Sequence, residues 1–188
     1  GVASCLRDRR AKADEVIYSK RISGFALMAS RYAANVVMVF IPVVIWAFLV
    51  QMPCVYEAAS RGIAADGFAF LKYSVLWLLP VIMVMLSASF LITEATDTIL
   101  AIPVLFVWGI ASLFSASTLT GDFGWKLIAR WNEFGGYGQF AEEAGRLYLN
   151  RGLYAVLAAA GIFLTVLAYG KKREGGAAMY GKIQKNRG

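Results

Sequence analysis

The feature that most constrains this chain is a set of four apolar segments, each about as long as a membrane-spanning helix. A helix needs about 20 predominantly apolar residues to cross the hydrocarbon core of a bilayer. With 59% hydrophobic residues among 188, the chain carries more apolar side chains than a soluble domain buries. The pattern predicts an all-α integral membrane protein with four transmembrane helices, at residues 33–52, 73–92, 98–116 and 152–170.

The third of these segments, residues 98–116, is a little shorter than the others, and only the pentapeptide TEATD separates it from the second. A re-entrant hairpin, which enters and leaves the bilayer on one side, is therefore an alternative to a full span at this position. The sequence leaves both open here, while the first, second and fourth segments predict full spans.

Basic residues concentrate at the two ends of the chain. Residues 1–32 hold seven Lys or Arg and residues 171–188 hold six, against two in residues 51–72 and four in residues 115–151. By the positive-inside rule, both termini are expected on the cytoplasmic side of a cell membrane, either an inner or a plasma membrane. The net charge is +7, but the basic residues lie in two terminal clusters that apolar segments separate. They therefore do not predict the continuous basic surface of a nucleic-acid-binding protein.

Side chains that carry catalysis or bind metals are scarce. The chain has no His, and its two cysteines, Cys5 and Cys54, flank the first apolar segment, so we expect no metal site, no cofactor and no catalytic residues. The C-terminal GAAMYGKI resembles a phosphate-binding loop, but Ile183 replaces the Ser or Thr that would hold magnesium. We therefore expect no ATP hydrolysis by this chain itself, and no enzyme activity.

Two carboxylates, Glu94 and Asp97, lie in the turn between the second and third segments. Ionisable residues at a membrane boundary are often functional. In a cytoplasmic turn, water would solvate them, and Asp97 could also cap the following helix. A contact to a cytoplasmic partner is the favoured role for this pair, and a chemical role is disfavoured because no His, Lys or nucleophile is close in sequence.

Large apolar residues, three of the four aromatic, are spaced by three between the third and fourth segments, as on one face of a helix. This pattern predicts a helix lying in the membrane interface, followed at GGYG by a break and then a second short helix at residues 139–149. The pair of outer-side helices, at residues 123–149, is either an aromatic anchor or a closure of the outer end of a pathway. The residues of the first face are Trp125, Ile128, Trp131 and Phe134.

The stretch RDRRAKADEVIYSKRIS, residues 7–23, is highly charged and precedes the first apolar segment. Residues 11–18 can form a short helix, SKR interrupts it, and Ser23 can cap the next helix as it enters the bilayer. The expected structure is a charged knob on the cytoplasmic face. A solvated anchor that binds anionic membrane lipid is the alternative interpretation.

This arrangement resembles the coupling helix of type-2 ABC transporter permeases, in which a charged helix and a turn precede the third membrane helix. The family commonly has Pro where Arg21 stands, and Gly-Lys where Ser30 and Arg31 stand. The positions that the resemblance implies for contact with the ATPase are Arg10, Asp14, Glu15, Tyr18, Lys20 and Arg21.

The resemblance extends over nearly the whole chain and implies its organisation. The four segments would be the family's third to sixth membrane helices, so the first helix and most of the second would lie upstream of a fragment. The resemblance implies a permease subunit that acts as a homodimer, or as a heterodimer with a related permease, and that couples export to ATP hydrolysis in a separate ABC ATPase subunit. The alternative is a non-transporting membrane scaffold with basic cytoplasmic ends. The expected division is a coupling-helix region at 1–32, a transmembrane domain at 33–170 and a basic cytoplasmic tail at 171–188.

Overall fold

The computed structural model describes residues 23–114, 126–127 and 137–185, and the regular structure within these ranges is entirely helical. The helices are α1 (Gly24–Ser60), α2 (Ala69–Tyr73), α3 (Leu79–Thr96), α4 (Ala101–Phe114) and α5 (Tyr137–Lys185), with a π-helical turn at Ser74–Leu78 that joins α2 to α3.

Three of the helical stretches are long and apolar enough to cross a membrane: Gly24–Ser60, Ala69–Thr96 and Ala141–Glu174. They lie over the first, second and fourth predicted segments. The described residues are all-helical, as expected from the sequence, and the three helices are compatible with a membrane protein. The third predicted segment is represented by α4, whose 14 residues span about 21 Å. A bilayer core is about 30 Å thick. The count of four spans therefore stays a prediction.

The first membrane helix extends beyond its predicted bounds at both ends. Ser23 begins α1 as its N-cap, because the Ser23 hydroxyl oxygen accepts a hydrogen bond from the Ala26 amide at 3.1 Å. At the other end Gly62 has a φ of +71°. The amides of Gly62 and Ile63 donate back to the carbonyls two and three residues before the cap, at 3.0 and 2.9 Å. This is a Schellman motif, and glycine at its left-handed position stops the helix without steric cost.

The last membrane helix is continuous where the sequence predicted a boundary. The predicted short helix at 139–149, the predicted span at 152–170 and most of the predicted tail form one helix, Tyr137–Lys185. Gly152 and Gly170 lie inside it without interrupting it. Glycine costs a helix only about 1 kcal/mol and keeps its backbone donor, so only proline would have forced a break.

The π-helical turn before α3 has a local cause in Pro80. Proline lacks a backbone N–H, and its ring clashes with the carbonyl four residues earlier. The Leu79 amide donates to the Ser74 carbonyl, five residues back, so one extra residue enters the turn ahead of the proline.

The helices α3 and α5 run parallel and form the most closely packed pair in the described bundle. Ser87 faces Gly161, where a Cβ atom would lie 2.9 Å from the serine Oγ and 3.2 Å from its Cβ. A buried apolar cluster lies on the side of this contact that is nearer to the connection at residues 61–68. Its members are Val84, Leu127, Tyr154 and Ala158. Small residues at such contacts let two membrane helices approach closely, which gives packing energy where no hydrophobic effect operates.

The helix α1 runs antiparallel to this pair. Its Tyr32 hydroxyl donates to the Met83 carbonyl at 2.9 Å, and the Tyr32 ring meets Phe90 edge to face. The bundle thus has two ends, which we name by a residue at each. The Lys172 end holds the start of α1 and the end of α3, and the Asp66 end holds the connection at residues 61–68.

The connection at the Asp66 end is held by Gln51, which is buried in α1. Its Nε2 donates to the Asp66 carbonyl at 2.6 Å, and its Oε1 accepts from the Phe70 amide at 3.2 Å. The Asp66 carboxylate accepts from the Phe68 amide at 2.9 Å and pairs with the Lys72 ammonium at 2.5 Å. Hydrogen bonds from Lys72 and then from the Phe68 amide hold the pKa of the Asp66 carboxyl below its ordinary value of 3.8.

The contact at residue 161 can be tested with Gly161→Ala, which places a methyl group against Ser87. We expect a loss of about 1–3 kcal/mol in the free energy of unfolding in detergent micelles, because the helices must separate or strain to admit it. The control is Gly152→Ala on the same helix, where no atom lies within 4 Å of the new Cβ. Equal stabilities of the two variants would contradict close packing at residue 161.

The pairing at Asp66 predicts a pH effect. Because the folded pKa is lowered, the ionised carboxylate stabilises the connection above the unfolded pKa, and this contribution is lost as pH falls through the folded pKa. Lys72→Met should raise the midpoint of the Asp66 carboxyl toward its ordinary value, as followed by carbon NMR in micelles. The control is Arg61→Met, which breaks the exposed ion pair of Glu57 and Arg61. It should leave the titration midpoint of the Asp66 carboxyl unchanged.

Candidate functional site

Among the site residues predicted from the sequence, Glu94 and Asp97 fall within the described part of the chain, at the Lys172 end. The remaining predicted positions lie outside the described residues: Arg10, Asp14, Glu15, Tyr18, Lys20 and Arg21 of the coupling stretch, and Trp125, Ile128, Trp131 and Phe134 of the outer-side helix.

The backbone at the end of α3 sets the direction of the Asp97 side chain. Asp97 is the C-cap of α3, and its amide donates to the Thr93 carbonyl at 2.9 Å. Its φ of +59° is in the left-handed region, which Asp and Asn adopt more readily than most other residues with a Cβ. The helix therefore ends at Thr96, and the carboxylate of Asp97 turns toward α5.

The partner of both carboxylates is Lys172 of α5. Its Nζ lies 2.5 Å from the Asp97 Oδ1 and 3.8 Å from the Glu94 Oε1, and it also donates to the Glu94 backbone carbonyl. We call these three residues the carboxylate–lysine cluster. A cation at this position also interacts favourably with the carbonyls that the last turn of α3 leaves unpaired.

Glu94 is far more enclosed than the sequence suggested. Its side chain is 5% exposed, so water does not solvate it in the way expected of a residue in an open turn. Asp97 is 47% exposed and pairs with Lys172. Just before α4, the Thr98 Oγ1 accepts a hydrogen bond from the Leu100 amide at 3.3 Å. The cluster thus joins a buried carboxylate, that of Glu94, and a half-exposed one, that of Asp97, through the Lys172 ammonium group.

Sequence reasoning identified the two acids of the cluster but not its lysine. The sequence pattern groups Lys172 with the basic tail, and this residue lies 75 residues from Asp97 along the chain. No local pattern marks it, because the pairing depends on the register between the parallel helices α3 and α5.

The start of α1 lies close to the cluster. A Cβ atom at Gly24 would lie 3.0 Å from the Tyr169 ring, so the backbone at the start of α1 packs closely against that side chain. Tyr169 is three residues before Lys172 on α5, nearly one helical turn. The first turn of α1 and the last turn of α3 therefore meet the same short stretch of α5.

The chemistry of the cluster is electrostatic. It joins two carboxylates and one ammonium group, and no group of three or more His, Cys, Asp or Glu in the described ranges is placed to hold a metal ion. In a partly desolvated setting, such a tie fixes the relative position of two helices, because breaking it removes a nearby opposite charge from a buried carboxylate. The geometry therefore supports a mechanical role at the Lys172 end.

Removal of the bridging cation tests the cluster. Lys172→Met should lower the free energy of unfolding in micelles by about 1–3 kcal/mol, because the ammonium group that lies beside the buried Glu94 and pairs with Asp97 would be lost. Adding Glu94→Gln should restore part of the loss, which a double-mutant cycle measures. Lys171→Met, at the exposed neighbouring position, is the control. Equal losses in the two single variants would argue against the cluster.

Comparison with known proteins found no protein family, no curated protein and no solved structure that matches this chain.

Proposed function

We propose that this chain is the membrane-spanning permease subunit of an ATP-driven transporter of the type-2 ABC kind, working with a separate ATPase subunit. The proposal rests on the resemblance of residues 10–21 to a coupling helix and on the order of segments that follows. The three long apolar helices are compatible with it.

One observation of geometry supports the proposal most directly. The coupling stretch leads straight into the Ser23 cap of α1, and Gly24 packs against Tyr169 of α5. The same part of α5 carries Lys172, which holds the end of α3. A movement of the chain just before Ser23 would therefore act where α1, α3 and α5 contact one another within about one helical turn.

The proposed mechanism is mechanical. Nucleotide binding draws the ATPase subunits together, and their movement pushes the coupling stretch against the start of α1. The carboxylate–lysine cluster keeps α3 and α5 together, so that they move as a unit relative to α1. Rigid elements of this kind convert a local shift at an interface into a change between two arrangements of the membrane helices.

The charges of the coupling stretch suit its proposed role. Asp14, Glu15 and Arg21 combine both signs within eight residues. Charged side chains at a wet interface set register and orientation more than affinity, which is what the transmission of a directed movement requires. In this proposal, both termini are cytoplasmic, and the permease pairs with a second copy or with a related permease.

A crosslinking scan tests the proposal. Single photoreactive residues at positions 12–22 of the full-length protein in its native membrane should capture an ABC ATPase, and nucleotide should change the yield. The charge reversals Glu15→Lys and Arg21→Glu should each weaken co-purification of that ATPase. The matched controls are Glu57→Lys and Arg61→Glu at the opposite end of α1.

Uniform labelling of positions 12–22 by lipid or water probes, with no ATPase captured, would overturn the proposal. That outcome would favour a membrane scaffold whose charged ends hold another protein.

A further inference from the structure

Residues 43–73 form a hairpin at the Asp66 end, made of the second half of α1, the connection after it, and α2. We call this segment the α1–α2 hairpin. Gln51 of α1 donates a hydrogen bond to the connection and accepts one from α2. The Phe48 ring of α1 meets the Phe68 ring edge to face, with 6.2 Å between centroids. The hairpin is therefore held together by contacts between its own two arms.

Few buried contacts join the hairpin to the other helices. Within residues 43–73, all of which the structure describes, Gln51 is the single buried residue, and its hydrogen bonds stay inside the hairpin. The helix α3 instead buries six residues, among them Phe90 and Glu94. A segment with few buried contacts can separate from its neighbours at a low cost in free energy.

The helices α3, α4 and α5 are joined by buried groups. Between α4 and α5, the Leu127 amide donates to the Ser112 Oγ at 3.2 Å, and the Leu127 carbonyl accepts from the Arg151 Nη1 at 3.0 Å. The Trp108 ring of α4 meets the Tyr154 ring of α5 edge to face at 6.4 Å. Together with the close packing of α3 against α5, these contacts make the three helices one fixed unit.

Both connections between the hairpin and the rest of the bundle contain an interrupted helix. Pro42, inside α1, has no backbone N–H to donate to the Met38 carbonyl. On the other side, the π-helical turn at Ser74–Leu78 precedes Pro80. Helices bend at prolines and at π-bulges, because the regular ladder of backbone hydrogen bonds is broken there.

The two interruptions lie at about the same level of the bundle. Tyr32 of α1 bonds to Met83 of α3, and Gln51 of α1 bonds to the connection. Along α1, Pro42 lies nearly halfway between Tyr32 and Gln51. The π-helical turn likewise lies nearly halfway between Met83 and the connection. Bends at the two places therefore share one line across the bundle.

An aromatic contact attaches the π-helical turn to α5. The ring of Trp77, within the turn, lies 5.8 Å from the ring of Tyr148 on α5. On its other side, the Trp77 ring lies 6.1 Å from that of Tyr73, the last residue of α2. The turn thus belongs with the fixed unit, and α2 begins the part of the chain that bends away from it.

We propose that the α1–α2 hairpin turns as a unit about Pro42 and the π-helical turn, relative to α3, α4 and α5. A hinge of this kind consists of a few residues that absorb the backbone change between two rigid parts. The Tyr32 contact and the carboxylate–lysine cluster lie on the other side of the hinge. The movement therefore opens the bundle between the hairpin and α5 at the Asp66 end, while the Lys172 end keeps its contacts. The hinge needs no ATPase and stands independently of the proposed function.

Distances between pairs of spin labels measure this movement. The full-length protein is placed in lipid nanodiscs after both native cysteines are replaced by alanine, and pairs of exposed residues are changed to cysteine and labelled. Val50 and Leu149 report the distance from the hairpin to α5. The reference pairs are Val107 with Val156, between α4 and α5, and Val50 with Ile63, within the hairpin. By double electron–electron resonance, we expect a broader distance distribution for the first pair than for either reference.

Alanine at the two prolines tests the hinge itself. Pro42→Ala combined with Pro80→Ala supplies both missing backbone donors. The distribution between Val50 and Leu149 should then narrow towards the width of the reference pairs. Pro53→Ala is the matched control, because Pro53 also interrupts α1 but lies inside the hairpin. It should leave the distribution unchanged.

Three results would overturn the proposal. One is a wild-type distribution between Val50 and Leu149 that is as narrow as the one between α4 and α5. Another is an equally broad distribution between Val50 and Ile63, since the hairpin would then not move as a unit. The third is the same effect, or none, in the double variant and in Pro53→Ala. If the double variant does not fold, Pro42→Ala and Pro80→Ala are each compared with Pro53→Ala by the same criterion.

Discussion

The close parallel contact between α3 and α5 is the interaction on which the rest of the structure depends. In a bilayer, apolar side chains gain little by leaving lipid for another helix, so helices associate where their surfaces fit closely. Gly161 supplies that fit by leaving room for Ser87. Once the two helices are in this register, Glu94 meets Lys172 at one end, and Tyr154 joins the buried cluster toward the other.

The polar groups of the bundle follow from the same constraint. Lipid offers no hydrogen bonds, so a polar side chain in a membrane helix must find its partner inside the protein. Gln51 does so by holding the connection after α1, and Tyr32 does so by bonding a carbonyl of α3. Arg151 differs, because its described contacts leave a buried donor unused and its charge uncompensated.

The two ends of the bundle are built for different tasks. At the Lys172 end, α1, α3 and α5 meet within about one helical turn, and an ion pair ties two of them together. At the Asp66 end, a glycine-capped turn, a buried amide and an exposed ion pair hold a short connection in place. In the proposed mechanism, the first arrangement transmits a movement from the chain that precedes Ser23, and the second keeps neighbouring helices at a fixed separation.

The sequence by itself determined the all-helical class and the approximate positions of the three long apolar helices among the described residues, because the length of an apolar segment is a local property of the sequence. It also marked Glu94 and Asp97 as charged residues at a membrane boundary. Only the tertiary structure decided that Lys172 pairs with them, that Arg151 is enclosed, and that α5 continues through Gly152. Partners 75 residues apart depend on the register of two packed helices, and glycine permits a break without requiring one. No local sequence pattern predicts the pairing of Lys172 or the continuity of α5, because both depend on which helix surfaces fit together.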